Sequence, residues 1–371
     1  MLIQKYMREN EKWEETLMKK PFSIKVERDG DYVLLKYNQV ESDFSQEIVR
    51  ECRGIIFNEK ENYKAVCVPF YKFGNYGEGY VPEIDWSTAR VQEKVDGSLI
   101  KVWFDKEWHV STNGKINAYE CEICATDLIK LKIPYKSFGD LFDAAKINAN
   151  LDFDSLNKEY TYMFELVSPY NKVVVPYSNI EIYHIGTRNN ITLEELDIDI
   201  GIKKPNHYNL HTLDECLDAT SKMPFNEEGY VVVDANWNRV KIKSPAYVAI
   251  HHLKSNGEVN IASIIAMIRS NEKDEFLGYF PEYKEDFESI ENHINEVITM
   301  IQNELEKISK IEFATKKEFA LQVKDYKYKG FKYSDFFFSW WNDKKITPKE
   351  WFWNGQTDNK IKEWIKCLNQ Y

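Results

Sequence analysis

Glu93-Lys94-Val95-Asp96-Gly97-Ser98-Leu99 is the stretch on which the reading of this chain turns. Lys94 stands between the apolar β-formers Val91 and Val95. The turn pair Asp96-Gly97 follows, and apolar residues resume at Leu99-Ile100 and alternate through Val102 and Phe104. The pattern predicts strand, tight turn, strand. It admits two meanings. One is an ordinary hairpin with an exposed lysine at its shoulder. The other is a nucleophilic lysine beside a turn whose glycine lets the backbone approach a phosphate closely. K-x-D-G alone is a weak signal, and its weight comes from what lies to either side.

Upstream, residues 2–18 read as one short amphipathic helix ended by Pro21, and Asp31 to Tyr37 as a strand after a turn at Asp29-Gly30. Glu51-Cys52-Arg53-Gly54-Ile55-Ile56-Phe57 puts an arginine and a glycine ahead of an apolar strand. Such an arginine is either a surface ion pair or a bidentate phosphate fork. Pro69-Phe70-Tyr71-Lys72-Phe73-Gly74-Asn75 sets a lysine among aromatics, where its stem packs and its head reaches water.

Downstream, Trp108 to Thr112 reads as a strand running into an Asn113-Gly114 turn, and residues 118–131 and 136–148 read as helices. Tyr160 to Val167 is an apolar strand broken by one carboxylate, Glu165. A buried carboxylate needs a cation or hydrogen-bond donors, so Glu165 is either a structural ion pair or an acceptor for a ribose hydroxyl. Ser168 to Lys172 is a turn, Val173-Val174-Val175 a strand and Ile180 to Ile185 another. Asn226 to Val233 is a strand with Glu228 at its start, and Arg239 to Ser244 returns after a turn at Asn236-Trp237-Asn238. Lys241 and Lys243, two apart in a strand, share a face. They repel unless an anion lies between them or the face is solvated.

The 371 residues allow about two domains with a sizeable core. Hydrophobic residues at 43% and aromatics at 15% mark a folded globular chain. A formal net charge of −11 means that a nucleic-acid partner would need local basic patches. Six scattered cysteines point to reduced, intracellular thiols. Cys121-Glu122-Ile123-Cys124 lacks a second pair at zinc spacing. Met1 to Leu17 lacks the apolar core of a signal peptide, and no apolar run is long enough to span a membrane.

The character of the chain changes near residue 255. A long amphipathic helix starts at Pro281, with Phe287, Ile290, Ile294, Val297, Ile298, Ile301, Leu305 and Ile308 at threes and fours. Residues 316–371 hold twelve lysines against seven acids. Phe336-Phe337-Phe338 and Trp340-Trp341 read as core. Lys324 to Gly330 reads either as a surface for RNA phosphates and bases or as a solvated helix end.

In order, Lys94-Val95-Asp96-Gly97, Phe164-Glu165, Glu228-Gly229 and Lys241-Ile242-Lys243 resemble motifs I, III, IV and V of the covalent nucleotidyltransferases, the polynucleotide ligases and RNA capping enzymes. The upstream Arg53 segment, Lys72-Phe73 with Asn75, Pro169-Tyr170-Asn171-Lys172, and Lys243-Ser244 with Tyr247 narrow the resemblance to the T4 RNA ligase 1 type. It covers about residues 30–255. The resemblance implies an α+β fold, with an antiparallel-sheet adenylyltransferase domain and flanking helices over residues 1–254. An all-α domain over 255–371 follows, for RNA or tRNA recognition. The implied activity is an ATP-dependent RNA ligase that joins 5′-phosphate and 3′-hydroxyl ends through lysyl-AMP and RNA-adenylate, in RNA and tRNA repair. Lys94 would be the nucleophile, with Asp96 orienting it and Glu228 holding a metal-bound water. Arg53, Lys72, Glu165, Lys241, Lys243, Tyr247 and Tyr37 would bind the nucleotide, and the acidic pair Asp274-Glu275 falls near a metal-binding pair of the family. The implied cofactors are ATP and Mg2+, with Mn2+ as a substitute. The implied partner is RNA, cleaved tRNA included, with no membrane association, for a monomer in the cytoplasm, that of a bacterial host if phage-encoded. Free lysine titrates near ~10.4, so an attacking lysine needs neighbouring cations and partial burial.

Two positions depart from the family pattern. Asn113 stands where a functional lysine is expected before the glycine, with Lys115 nearby as a replacement, and Gly74 stands where a second aromatic is expected. The alternatives are a DNA ligase or capping guanylyltransferase, or an RNA-binding protein with an inactive nucleotide pocket.

Overall fold

The computed structural model describes residues 1–123, 134–252, 261–328 and 331–368. The chain divides into two compact units, Met1–His251 and His252–Tyr371. The expected boundary at 254/255 lies outside the described residues.

The first unit is built on three sheets. Strands β1 (Ile24–Asp29), β2 (Tyr32–Tyr37), β3 (Arg53–Asn58) and β4 (Lys64–Cys67) form an antiparallel sheet in chain order. Alternation along β2 splits its side chains between two cores. Val33, Leu35 and Tyr37 pack with Ile3, Met7, Trp13 and Leu17 from the N-terminal helices. Leu34, with Tyr32 packed alongside, faces Trp103, Ile56 and Ile116. The N-terminal stretch is two helices, Leu2–Glu9 and Trp13–Leu17, rather than the single one expected. Asn10 breaks it by adopting an extended conformation.

Strands β5 (Gly74–Asn75), β6 (Arg90–Glu93), β7 (Ser98–Asp105), β8 (Glu107–Thr112), β9 (Tyr160–Val167), β10 (Glu181–Asn189), β11 (Glu195–Leu196), β12 (His207–Tyr208), β13 (Gly229–Val233) and β14 (Arg239–Lys243) make the other two sheets. Their orders are β11-β10-β9-β7-β8 and β12-β6-β13-β14-β5. All pairs are antiparallel except β14 with β5, which is parallel.

The expected hairpin around Lys94 is not one. β6 and β7 belong to different sheets, so residues 94–97 cross from one sheet to the other. Gly97 is needed for this crossing, because a Cβ there would lie 2.5 Å from the Leu166 carbonyl oxygen of β9. Val173-Val174-Val175 is irregular rather than a strand, since the amides of Val174 and Val175 donate to a carboxylate instead of to a sheet. Of the helix expected at 118–131, a 3-10 turn at Ala118–Glu120 is present and Cys121 is extended. Residues 124–133, with Cys124, lie outside the described residues. Phe138–Asn148 is a helix, started by a Ser137–Asp140 capping box.

Among its described residues the second unit is helical apart from a two-stranded ribbon, β15 (Lys327–Tyr328) with β16 (Phe331–Lys332). A 3-10 turn at Pro281–Tyr283 leads into the helix Lys284–Ile308, which buries Phe287, Ile290, Ile294, Val297, Ile301 and Ile308. Phe336 and Phe337 are core as expected. Trp340 and Trp341 are not: both are half-exposed, with the Lys344 ammonium 3.3 Å and 4.5 Å from their ring centres. Gly330 and Lys329 of the basic stretch lie outside the described residues. Among the described residues, no helix is long and apolar enough to cross a membrane.

Candidate active site

The backbone N–H of Lys94 donates to the Gly229 carbonyl at 2.8 Å, which fixes the lysine beside the start of β13. Gly229 is in turn paired with Lys243, and Val231 with Lys241, across the β13–β14 ladder. Sheet register thus sets Lys94, Lys243 and Lys241 next to one another. Glu228, one residue before β13, is held between two of them. Its Oε2 accepts from Lys94 Nζ at 2.7 Å, and its Oε1 lies 3.8 Å from Lys243 Nζ. Glu228 is buried, and burial raises its carboxyl above the usual range even though Lys94 and Lys243 oppose the shift.

Glu165 enters from the second sheet, where it pairs with Leu99 of β7 and Tyr183 of β10. Burial raises it to about 7, with Lys94 and Arg53 opposing the shift and Glu228 and Asp96 reinforcing it. Lys241 is pushed well below the usual lysine value, first by burial and then by Lys72, Lys94, Lys243 and Arg53. Those same groups are the sequence-predicted cations, so the fold brings all five together.

Arg53 and Lys241 share one ring. The Arg53 guanidinium carbon is 5.5 Å, and Lys241 Nζ 4.9 Å, from the centre of Phe73. Arg53 Nη1 is buried and meets no hydrogen-bond acceptor among the described residues. Lys72 is buried in an aromatic box, its Nζ 5.0 to 5.8 Å from the rings of Phe44, Tyr37 and Tyr80. Tyr37 is a core side chain packed edge-on to Phe44, and it reaches the cationic cluster through Lys72.

The Asp96 carboxylate is taken up by two backbone amides and a tyrosine. One carboxylate oxygen accepts from the amides of Val174 at 2.9 Å and Val175 at 2.8 Å, and the other from the Tyr247 hydroxyl at 2.9 Å. Asp96 and Tyr247 therefore lock the lysine's crossing to the 173–175 segment and to the helix Pro245–His252. Asn171 adds a second lock, donating to Ser98 Oγ at 3.1 Å and to the Leu166 carbonyl at 2.8 Å.

Asp274 and Glu275 belong to the second unit, in the first turn of the helix Lys273–Tyr279. Asp274 is exposed and Glu275 buried. No group of three acids, histidines or cysteines among the described residues could hold a metal directly. Glu165 and Glu228 are two carboxylates that act on each other, the kind of oxygen donor that reaches Mg2+ through water while phosphate oxygens supply its other ligands.

Two cations escaped the sequence reading. Lys101 is fully buried on β7, and its Nζ donates to the Gly54 carbonyl. Burial lowers it to about 8, and Arg53 and Lys36 push the same way. A lysine in phase with Leu99 and Trp103 along an alternating strand was the signal that could have found it. Lys36 is the second: its Nζ lies 3.2 Å from where a Cβ on Gly114 would sit. Lys115 is paired with Glu27, at 3.2 Å.

A family model described as RNA ligase, of the T4 RNA ligase 1 type, matches residues 51–247. A putative bifunctional polynucleotide kinase/RNA ligase of Autographa californica nuclear polyhedrosis virus is 30% identical over 287 residues, covering 71% of this chain and 40% of that protein. The chain thus spans less than half of that viral relative. An RNA ligase of Rhodothermus phage RM378 is 25% identical over 369 residues, covering 80% of this chain and 83% of the phage protein. Among solved structures, an archaeal ATP-dependent RNA ligase is 12% identical with a TM-score of 0.42, covering 72% of this chain and 67% of that one.

Proposed function

The chain belongs to the RNA ligase family, and from that premise we propose that it is an ATP-dependent RNA ligase acting through a lysyl-AMP intermediate. The observation that carries the reading is the placement of Lys94 Nζ, 2.7 Å from Glu228, in a cluster with Lys241, Lys243, Lys72 and Arg53, in which Lys241 is depressed by the other four cations. Five cations outnumber the two carboxylates set among them, Glu165 and Glu228, and a triphosphate supplies the negative charge that balances the surplus.

In the first step the neutral Lys94 amine attacks the α-phosphorus of ATP. A nitrogen–phosphorus bond forms, the bond to the β-phosphate oxygen breaks, pyrophosphate leaves with the electron pair, and the nitrogen gives up one proton to solvent. Lys241 and Lys243 face the α-phosphate, where charge builds in the transition state, and Arg53 and Lys72 take the leaving group. Glu165 accepts from a ribose hydroxyl. Asp96 and Tyr247 position the crossing that carries the nucleophile. A divalent ion, Mg2+ or Mn2+, would be reached from Glu228 and Glu165 through water, and it supplies charge neutralisation of the phosphates. The AMP then moves to an RNA 5′-phosphate, and a 3′-hydroxyl displaces it to seal the strand.

The natural substrate on this reading is broken RNA, cleaved tRNA included, and the second unit contributes RNA recognition. The match to a phage RNA ligase supports a role in RNA repair in the cytoplasm of an infected bacterium. A monomer suffices for the chemistry, since one chain supplies every group named.

The test is incubation with α-labelled ATP and magnesium, followed by denaturing electrophoresis, with Lys94→Ala beside the wild type. The expected result is a covalent label that the variant lacks. Label from GTP but not ATP would move the protein to the capping enzymes, and folded protein that takes no label would refute the reading.

A further inference from the structure

Lys36 and Arg53 are direct cross-strand partners at the end of the β2–β3 ladder. Like charges so placed destabilise a sheet. The ladder shifts register there, at Gly54, whose φ of +76° makes the chain bulge. A Cβ on Gly54 would lie 2.5 Å from the Asn113 carbonyl oxygen and 3.0 Å from Lys101 Nζ. Lys36, Arg53, Lys101 and Asn113 therefore converge on one place, and Lys101 fixes it by donating to the Gly54 carbonyl.

Three cations, Lys36, Arg53 and Lys101, meet in this cluster. Glu27, the acid that acts on Lys101, is 3.2 Å from Lys115. Among the described residues Lys36 has no ion-pair or hydrogen-bond partner, and two side-chain atoms, Arg53 Nη1 and Asn113 Oδ1, are buried without one. A half-turn of the Asn113 amide presents its NH2 at the second of these positions. An anion is the one kind of group that satisfies the Arg53 fork, the Lys36 ammonium and an amide donor together.

We propose that Lys36, Arg53 and the Asn113 amide form a subsite for the terminal phosphates of the nucleotide, which it holds as they leave as pyrophosphate, with Lys101 as a positioning residue beneath it. The proposal rests on the nucleotidyltransferase reading above and adds to it a contact, Lys36, that the motifs do not include. Arg53 links the two regions, since it acts on Glu165 and Lys241 on one side and on Lys101 on the other.

The experiment is calorimetric titration of the full chain with inorganic pyrophosphate and, separately, with AMP, for wild type, Lys36→Ala and Lys36→Arg. The AMP lacks the terminal phosphates. Lys36→Ala should weaken pyrophosphate binding about tenfold or more, and AMP binding by less than about twofold. Lys36→Arg should recover most of the loss. The alanine variant should melt no lower than wild type, because it removes a like-charge pair. Equal weakening of both ligands, unchanged pyrophosphate affinity, or wild-type protein that binds no pyrophosphate would each overturn the subsite. Binding of a 5′-phosphorylated oligoribonucleotide that falls with Lys36→Ala while pyrophosphate binding holds would give Lys36 to the RNA instead, and also overturn it. Wild-type protein that binds pyrophosphate through Lys36 yet forms no lysyl-AMP would leave the subsite standing and sink the activity.

Discussion

Asp96→Ala is the substitution whose effect follows most directly from the geometry. The carboxylate accepts from two amides and one hydroxyl, at 2.8 to 2.9 Å, in a buried setting. Hydrogen bonds to a charged acceptor contribute about 1.5–3 kcal/mol each, and a buried N–H left without a partner costs about 1–3 kcal/mol. Water entering the gap offsets part of this, so the net loss should be about 3–5 kcal/mol, at the upper end for single substitutions. For a unit of this size roughly 2–4 °C of melting temperature corresponds to each kcal/mol, so the melt should fall by on the order of 10 °C. Asp96→Asn keeps the shape. Its amide oxygen can serve both valine amides while the NH2 meets the Tyr247 oxygen, and the loss should be about 1–2 kcal/mol. Scanning calorimetry on the three proteins measures this, with lysyl-AMP labelling run alongside. If Asp96 is a clamp, the asparagine variant retains substantial labelling. An alanine variant that melts within about 1 kcal/mol of wild type would refute the clamp, and an asparagine variant that is stable but unlabelled would show that the charge itself acts in the chemistry.

Glu165 titrates near 7 in the folded chain because burial favours its protonated form. Its contribution to stability is therefore full below the ordinary carboxyl range and is lost as pH rises from about 4.5 to about 7. Glu165→Gln, which cannot ionise, should be more stable than wild type by about 1–2 kcal/mol at pH 8, a figure discounted because the side chain is only half-buried, and equal to it at pH 4; the difference in melting temperature between the two pH values checks the sign. Gly54→Ala places a side chain at positive φ, costing about 1–2 kcal/mol, and drives it into the Asn113 backbone, so both the melting temperature and the affinity for pyrophosphate should fall. Arg239 and Glu195 form a two-pronged ion pair at 2.6 and 3.0 Å that ties β14 to β11, with both side chains nearly buried. Arg239→Met should cost about 3–5 kcal/mol by stranding the glutamate, and the double replacement with Glu195→Met should recover much of it in a denaturant titration.

The residues proposed to carry the chemistry were legible because each is a charge in a place where an apolar strand would not tolerate one. Glu165 interrupts an eight-residue strand, and Lys241 and Lys243 share a face, so their need for partners could be inferred before any contact was known. Local pattern did not reveal which sheet a strand joins. The segment from Val91 to Phe104 has the alternation of a hairpin, yet its two strands pair with β13 and with β9 and β8, choices set by distant residues. The same limit explains Val173-Val174-Val175, whose β-branched side chains favour a strand while their amides are taken by Asp96. It also explains Asn113. Along the chain, Lys115 is the lysine that stands nearest the missing one. The amines that lie around Asn113 and Gly114 are Lys101 and Lys36, which belong to β7 and β2 and arrive through tertiary packing.

Lys94 leaves one sheet for another, and the cations around it are delivered by strands and loops from residue 53 to residue 243. A chain emerging from the ribosome exposes the Lys94 amine long before β14 has been made. Until Lys241 and Lys243 arrive, the amine lacks the groups that grip a phosphate, and Glu228 is not yet there to hold it. On the proposed mechanism, reactivity is thus withheld from the nascent chain until synthesis has passed residue 243, so that unfinished products would carry the Lys94 amine without the means to consume nucleotide.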